Sequence, residues 1–333
     1  MISQGFWQDR KVFILGHTGF RGSHLAQVLQ GLGAVVSGLG LLPKTNPSFF
    51  EIENLAQGMA STIGDARDFS LLKSQIEFNQ PEIIFSFLGG SGLKASKEDP
   101  RETYEVQMMG TVNLLEAVRS VDCVRGVVFL TSDKVYRRDL SVAGYSEEAA
   151  LGGSSPAATA KACVELIVES YQQSFFQPDK YNKHKVSIAT ARMGSVVGTG
   201  DFDSESLVWQ AIQAIRAETA FTLRNPESVR DWLGMKDAVS AFLTLGEALI
   251  SKGPKASGAW NFAPRPENRV PVREFMEFLG LASNAPLEGA KPSVHGEILG
   301  TKTFEQLGWK AEETLSDITT DVLSWYQKKG FLT

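Results

Sequence analysis

Lys11-Val12-Phe13-Ile14-Leu15-Gly16-His17-Thr18-Gly19-Phe20-Arg21-Gly22 is the stretch on which the fold turns. Lys11 to Leu15 reads as a buried strand, Gly16 to Gly22 as a glycine-rich turn, and His24 to Leu32 as the helix that follows. The spacing is G-x-x-G-x-x-G. Glycines there permit a tight turn, close approach of backbone to a pyrophosphate, and packing of helix on strand. The helix N-terminus adds unpaired N–H groups and a partial positive charge. A glycine triplet alone is weak; its position between strand and helix points to a dinucleotide site.

Outward from this stretch, apolar runs alternate with helical patterns. Ala34 to Leu39, a run ending near Ile63, Glu82 to Leu88, Gly126 to Leu130 and Lys185 to Ala191 read as strands. Arg101 to Ser120 and Pro156 to Phe175 read as helices, the second with Ser155 as N-cap and Pro156 in the first turn. Strands bounded by turns and alternating with helices predict a Rossmann-type doubly wound parallel α/β sheet, covered on both faces. After Gly200 the pattern loosens: a helix over Leu207–Ala217, a short strand, a helix over Met235–Ile250, a strand over Gly258–Phe262 and a last helix over Ser316–Lys328. The reading is therefore residues 1–195 as the dinucleotide-binding domain. Residues 196–333 form a smaller mixed substrate lobe, with segments near 230–262 returning to the first.

Composition narrows the function. Of 333 residues, 43% are hydrophobic and 21% charged, which excludes a mainly disordered chain. Thirty-three basic against 38 acidic residues leave a net charge of −5, against a nucleic-acid binder. Cys123 and Cys163 make no disulfide framework, and His17, His24, His184 and His295 show no metal-ligand spacing, so no metal is expected. The N-terminus lacks a signal-peptide apolar region and no apolar run reaches membrane-span length, so a cytoplasmic protein with reduced thiols is expected.

Dinucleotide sites of this kind usually carry an acid at the end of the second strand, for the adenosine ribose. Ser37-Gly38-Leu39-Gly40-Leu41 has none, nor an arginine for a 2′-phosphate; Lys44 is the nearest base. NAD and NADP both remain open on this ground. Asp65 has two readings: a contact to the adenine edge, or the cap of a helix beginning at Phe69.

The sequence resembles the extended short-chain dehydrogenase/reductase superfamily and, within it, the CDP-glucose 4,6-dehydratases. The resemblance spans nearly the whole chain. It rests on the Gly16–Gly22 turn, Pro43-Lys44-Thr45-Asn46-Pro47-Ser48, Gly64-Asp65-Ala66-Arg67-Asp68, Met109 to Ala117, Thr131-Ser132-Asp133-Lys134, Lys161-Ala162-Cys163, Arg224-Asn225-Pro226 and Gly258 to Phe262. It implies NAD held by Gly16, Thr18, Gly19, Phe20, Arg21, Gly22, Asp65, Ala66, Leu88, Gly89, Gly90 and Lys161. It also implies a nucleotide sugar, CDP-hexose foremost, a homodimer, and a place in polysaccharide biosynthesis. In the chemistry it implies, the sugar C4 is oxidised, water is eliminated across C5 and C6, and the hydride returns to C6. Asp133 and Lys134 would be the elimination pair, Ser132 would hydrogen-bond the sugar, and Ser195, Arg230 and Trp232 would contact substrate.

Several positions depart from that pattern. The tyrosine expected four residues before Lys161 is Ala157. Positions i and i+4 share a helix face, and a methyl group shuttles no proton. Ser195 stands where the family has asparagine, Phe202 where it has tryptophan, Gln107 where it has asparagine, Gly89-Gly90-Ser91 in place of Ala-Ala-Gln, and Leu233-Gly234 in place of Gln-His. Three readings follow: a nucleotide-sugar enzyme with a rewired proton path, a nucleotide-sugar-binding protein without turnover, or a redox enzyme on another substrate. Tyr136 and Tyr145 are the nearest tyrosines in sequence, and Arg230 has the alternative reading of a surface salt bridge to Asp231 or another acid.

Overall fold

The computed structural model describes residues 5–89, 92–139, 141–219, 221–281 and 297–332. Gly90, Ser91 and His295 lie outside them. The strands are β1 (Lys11–Leu15), β2 (Val35–Gly40), β3 (Met59–Ile63), β4 (Ile83–Ser86), β5 (Gly126–Leu130), β6 (Gly144–Tyr145), β7 (Ser187–Met193), β8 (Ser195–Val197), β9 (Val229–Gly234), β10 (Gly258–Phe262), β11 (Arg269–Pro271) and β12 (Glu297–Ile298). Seven of them form one sheet in the order β10-β7-β5-β4-β1-β2-β3, every pair parallel. The order reverses between β1 and β4, and a crevice opens there at the strands' carboxyl ends.

Both faces are covered, which is why β4, β5 and β7 are buried along their whole length. Helices Phe20–Gly31 and Met235–Ser251 close one face with Leu25, Leu29, Phe242 and Leu245. Helices Phe69–Asn79, Gly110–Arg119 and Pro156–Ser174 close the other with Leu72, Ile76, Leu114, Leu115, Val164 and Val168. A third core, with Phe202, Ile212, Trp232, Phe275 and Tyr326, unites helix Leu207–Ala217, the β11-β9-β8 sheet and helix Leu315–Lys328. No helix among the described residues is long and apolar enough to cross a membrane.

Some boundaries move. The first helix starts at Phe20, not His24, because Gly22 packs directly on the turn: a Cβ there would lie 2.2 Å from the Gly16 carbonyl oxygen. β7 begins at Ser187, because Lys185 takes φ +59 in ending the short helix Tyr181–His184. The helix expected over Arg101–Ser120 is continuous but changes pitch, with Glu105–Met109 in a π turn between Pro100–Tyr104 and Gly110–Arg119. Ser155 caps its helix as expected, accepting from the Ala158 N–H. The helix at Phe69 is capped by Asp68, which accepts from the Leu71 N–H, so the capping reading of Asp65 is wrong. The Asp65 carboxylate is instead gripped by Arg67 at 2.6 Å.

Candidate active site

The glycine turn leaves β1 and enters its helix with Gly19 as N-cap, whose missing side chain caps nothing. The first helical N–H groups therefore have no intrahelical partner. They face a cavity of about 550 Å³ bordered by Gly16, Thr18, Gly19, Phe20, Arg21 and Gly22, and across it by Lys44, Thr45 and Ser48. Lys44 reaches over to Asp203 at 2.8 Å, so the mouth of this cavity is bridged by an ion pair. The Arg21 guanidinium lies deep in the cleft, its Nε buried without a partner. Burial pulls it below its ordinary pKa, with Asp201 and Asp133 pulling the other way.

The absence of an acid at the end of β2 has a steric cause. The His17 ring is wholly buried under that strand end, and a Cβ on Gly38 would lie 2.7 Å from its Cγ. His17 contacts the Ser61 hydroxyl through Nε2 at 2.7 Å, and burial lowers its pKa to about 4. It is a core residue.

The segment after β5 supplies the chemistry. Ser132 caps the short turn Asp133–Val135: its hydroxyl donates to Asp133 Oδ1 at 2.8 Å and accepts from the Lys134 N–H at 3.1 Å. Lys134 borders both a chamber of about 580 Å³ shared with Ala157, Lys161, Ser154, Gly89 and Gly194, and a smaller cavity of about 180 Å³ shared with Asp133, Ser195, Arg230 and Asp231. Lys161 is no surface lysine. Its ammonium donates to the Leu88 carbonyl at 2.6 Å and the Leu130 carbonyl at 2.8 Å, fastening the ends of β4 and β5 together. Burial, joined by the Arg21 charge, lowers its pKa to about 7.

One turn along the same helix, buried Glu165 accepts from Thr131 at 2.5 Å, from Thr190 at 2.7 Å and from Arg192 at 2.9 Å. Helix Pro156–Ser174 is thus tied to β5 and β7, which fixes where Lys161 and Ala157 stand. Ala157 opens on the chamber, four residues before Lys161. No tyrosine among the described residues borders the cavities named here. The Tyr136 hydroxyl donates to Asn261 at 2.6 Å and accepts from Arg192 at 2.8 Å, while Tyr145 stacks on Tyr136 with ring centres 4.9 Å apart.

A larger cavity of about 920 Å³ continues into the C-terminal lobe, lined by Arg230, Trp232, Phe221, Arg224, Asn225 and the start of helix Leu207–Ala217. Its size suits a nucleotide-sized ligand. Arg230 remains open to solvent within the cleft, its guanidinium 5.6 Å from the Trp232 ring centre. The salt bridge from Arg230 to Asp231 does not form: the ion-pair partner of Asp231 is Arg269, at 2.7 Å.

The fold thus brings together Gly16 to Gly22, Gly89, Ser132, Asp133, Lys134, Lys161, Ser195, Arg230 and Trp232 along one run of cavities. Asp65 and Ala66 border none of these cavities; Ala66 is buried in the second core. Leu88 contributes its carbonyl to Lys161. Leu233 and Gly234 do not reshape the sugar side: Leu233 lies in the first core, and Gly234 abuts Glu313. Asp231 and Arg269 are at the site without any motif to announce them.

The chain matches the model of the NAD dependent epimerase/dehydratase family over residues 12–258. It is 36% identical to the CDP-glucose 4,6-dehydratase of Salmonella typhimurium over 334 aligned positions, covering 98% of this chain and 93% of that one. Among solved structures it resembles the UDP-glucose 4-epimerase of Thermotoga maritima, with TM-score 0.80 and 19% identity over 96% of this chain and 99% of that one. It also resembles the dTDP-glucose 4,6-dehydratase of Streptomyces venezuelae, with TM-score 0.79 and 20% identity over 96% and 98%. By sheet order, by the strand–turn–helix at Gly16 and by these matches, the chain belongs to the NAD dependent epimerase/dehydratase family of extended short-chain dehydrogenases/reductases.

Proposed function

We propose that the protein is a nucleotide-sugar 4,6-dehydratase of the CDP-glucose type, working without the usual phenol. The observation that carries this reading is the Asp133–Lys134 pair at the carboxyl end of β5, between the glycine turn and Arg230. The 36% identity to a CDP-glucose 4,6-dehydratase supports it.

The residues fit a nicotinamide dinucleotide. Unpaired helix N–H groups and the partnerless Nε of Arg21 suit the diphosphate, and Lys161, held at the ends of β4 and β5, would hold the nicotinamide ribose. Bound there, NAD supplies the acceptor, and later the donor, of one hydride. Arg230 and the walls of the larger cavity hold the nucleotide diphosphate, CDP-hexose being the favoured form. Lys134 removes the C5 proton and Asp133 protonates the departing C6 hydroxyl, with Ser132 orienting Asp133. With Ala157 in the phenol's place, the O4 proton leaves through Lys134, Asp133 or water. Residues 1–195 carry the cofactor and 196–333 the substrate lobe; of the segment near 230–262 expected to return to the first lobe, β10 joins the large sheet, whereas β9 stays in the β11-β9-β8 sheet.

The homodimer belongs to the same reading. Met109 and Leu166, on the two long helices, are about half exposed, at 50% and 53%, which leaves apolar surface for a second copy. Leu115 and Val118 are core residues and do not contribute to it.

The test is direct. Purified protein with NAD⁺ and a panel of CDP-, UDP-, GDP- and dTDP-hexoses should yield a 4-keto-6-deoxy product, by mass spectrometry, from CDP-hexose first. Binding of nucleotide sugar without product would favour the second reading, a binding protein. The observation behind that reading is that no tyrosine among the described residues borders the cleft.

A further inference from the structure

Asp231 is a second, buried carboxylate of the site and has no role in the scheme above. It sits on β9, 5% exposed, and borders the same 180 Å³ cavity as Asp133 and Lys134. What separates it from Asp133 is Gly194. A Cβ at Gly194 would lie 3.1 Å from the Asp231 Cβ and 3.7 Å from Asp133 Oδ2, so the two acids meet across a position that carries only hydrogen.

The cavity between them is polar. Ser195, Ser228 and Asn225 line it with the two acids, which is room and partners enough for bridging water. Facing Asp231 are Arg269 from β11, Asp133 from the turn after β5 and Glu297 from β12, with Arg230 and Lys134 on the cavity wall. Burial pushes the Asp231 carboxyl up to about 6 against the pull of Arg269, and Asp133 adds repulsion in the same upward direction.

The chemistry needs such a group. In the net reaction the C4 hydrogen becomes a methyl hydrogen at C6, and the C5 proton leaves and returns. The O4 proton must end on the departing O6 as water. Asp133 gives its proton as the C6–O6 bond breaks and the C5=C6 bond forms, and is left ionised. It cannot act again until it regains a proton, formally the one released from O4.

We propose that Asp231 is a positioning residue that recharges Asp133: it takes up, by way of water, the proton released from O4, holds it on the far side of Gly194 and returns it to Asp133 through the polar cavity once per turnover. This rests on the dehydratase reading, and adds a second carboxylate and a proton chamber to it.

Asp231→Asn tests it. Rapid mixing of the variant with NAD⁺ and CDP-glucose should show a first elimination as fast as wild type, then steady turnover at least tenfold slower with KM unchanged. Asp231→Glu should recover most of the steady rate, and the pH limb of kcat near 6 should vanish in Asp231→Asn alone. A structural role would slow the first turnover equally or raise KM, and either result overturns the proposal. If Asp231→Asn fails to fold for loss of its Arg269 partner, Asp133→Asn serves. Carbon-13 carboxyl titration should then show the Asp231 midpoint falling when Asp133 is neutralised, and an unchanged midpoint rejects the coupling. If wild type makes no 4-keto product, the dehydratase reading fails, while the titration still decides whether the pair shares a proton.

Discussion

The glycine turn and the start of helix Pro156–Ser174 face each other across one cleft, and they are built on different principles. The turn presents backbone. Its N–H groups need no side chain, and its only strict demand is space: Gly22 tolerates no Cβ beside the Gly16 carbonyl. The helix and the residue before its N-cap present side chains, Ser154, Ala157 and Lys161, to the chamber. Cofactor binding through backbone therefore outlasts drift in sequence, whereas proton transfer depends on single atoms at single positions. Here the turn has its three glycines, and Ala157 stands four residues before Lys161.

The sharpest way to break that comparison is Gly22→Ala. The added methyl forces the helix off the turn, which should abolish calorimetric NAD binding and destabilise the fold by roughly 1–3 kcal/mol. Retained affinity would mean that the diphosphate is held elsewhere. Next in size is Ala157→Tyr. If the chamber still presents a sugar hydroxyl there, the phenol should raise 4-keto product formation by about 10²-fold. No gain would mean that the rewired path is already competent or that the sugar no longer reaches this wall.

In the proposed homodimer the same helix meets a second copy through Leu166. Leu166→Glu should convert a dimer to monomer in sedimentation at micromolar concentration while leaving cofactor affinity within twofold of wild type. A monomeric wild type would remove the dimer altogether.

The smallest effect lies outside both regions and serves as a control. Burial raises the Glu313 carboxyl to about 7, with Asp237 adding to the rise. The folded state then holds a proton that the unfolded state has released between pH 4.5 and 7, so this group's contribution to stability is lost as pH climbs through that window. Glu313→Gln should be more stable than wild type at pH 8, by on the order of 1 kcal/mol, and equal to it at pH 4. Denaturant midpoints at the two pH values measure this.

The element order was legible in the sequence because it rests on local patterns. Apolar runs, the glycine turn and Ser155 before Pro156 all act within a few residues of where they are read. Helix Leu207–Ala217 and strands β1, β5 and β10 fall where the pattern puts them. The errors lie at boundaries set by distant contacts. His17 beneath Gly38 explains the missing ribose acid, and nothing within the β2 segment foretells it. Leu233 and Gly234 resembled altered sugar contacts by motif position. The strand's alternation turns one into the core and the other toward Glu313.

By itself, then, the sequence determined the parallel sheet, the dinucleotide turn, the acid–amine pair after β5 and the alanine before Lys161, since each is a run of neighbours carrying its own geometry. Only the tertiary structure decided which groups share a cavity. Lys161 was fastened to two strand ends, Tyr136 and Tyr145 were withdrawn into the core, and Asp231 was set against Asp133 across a glycine 37 positions before it in the chain. Those placements follow from long-range packing, in which the energy of a side chain depends on partners that no local spacing encodes.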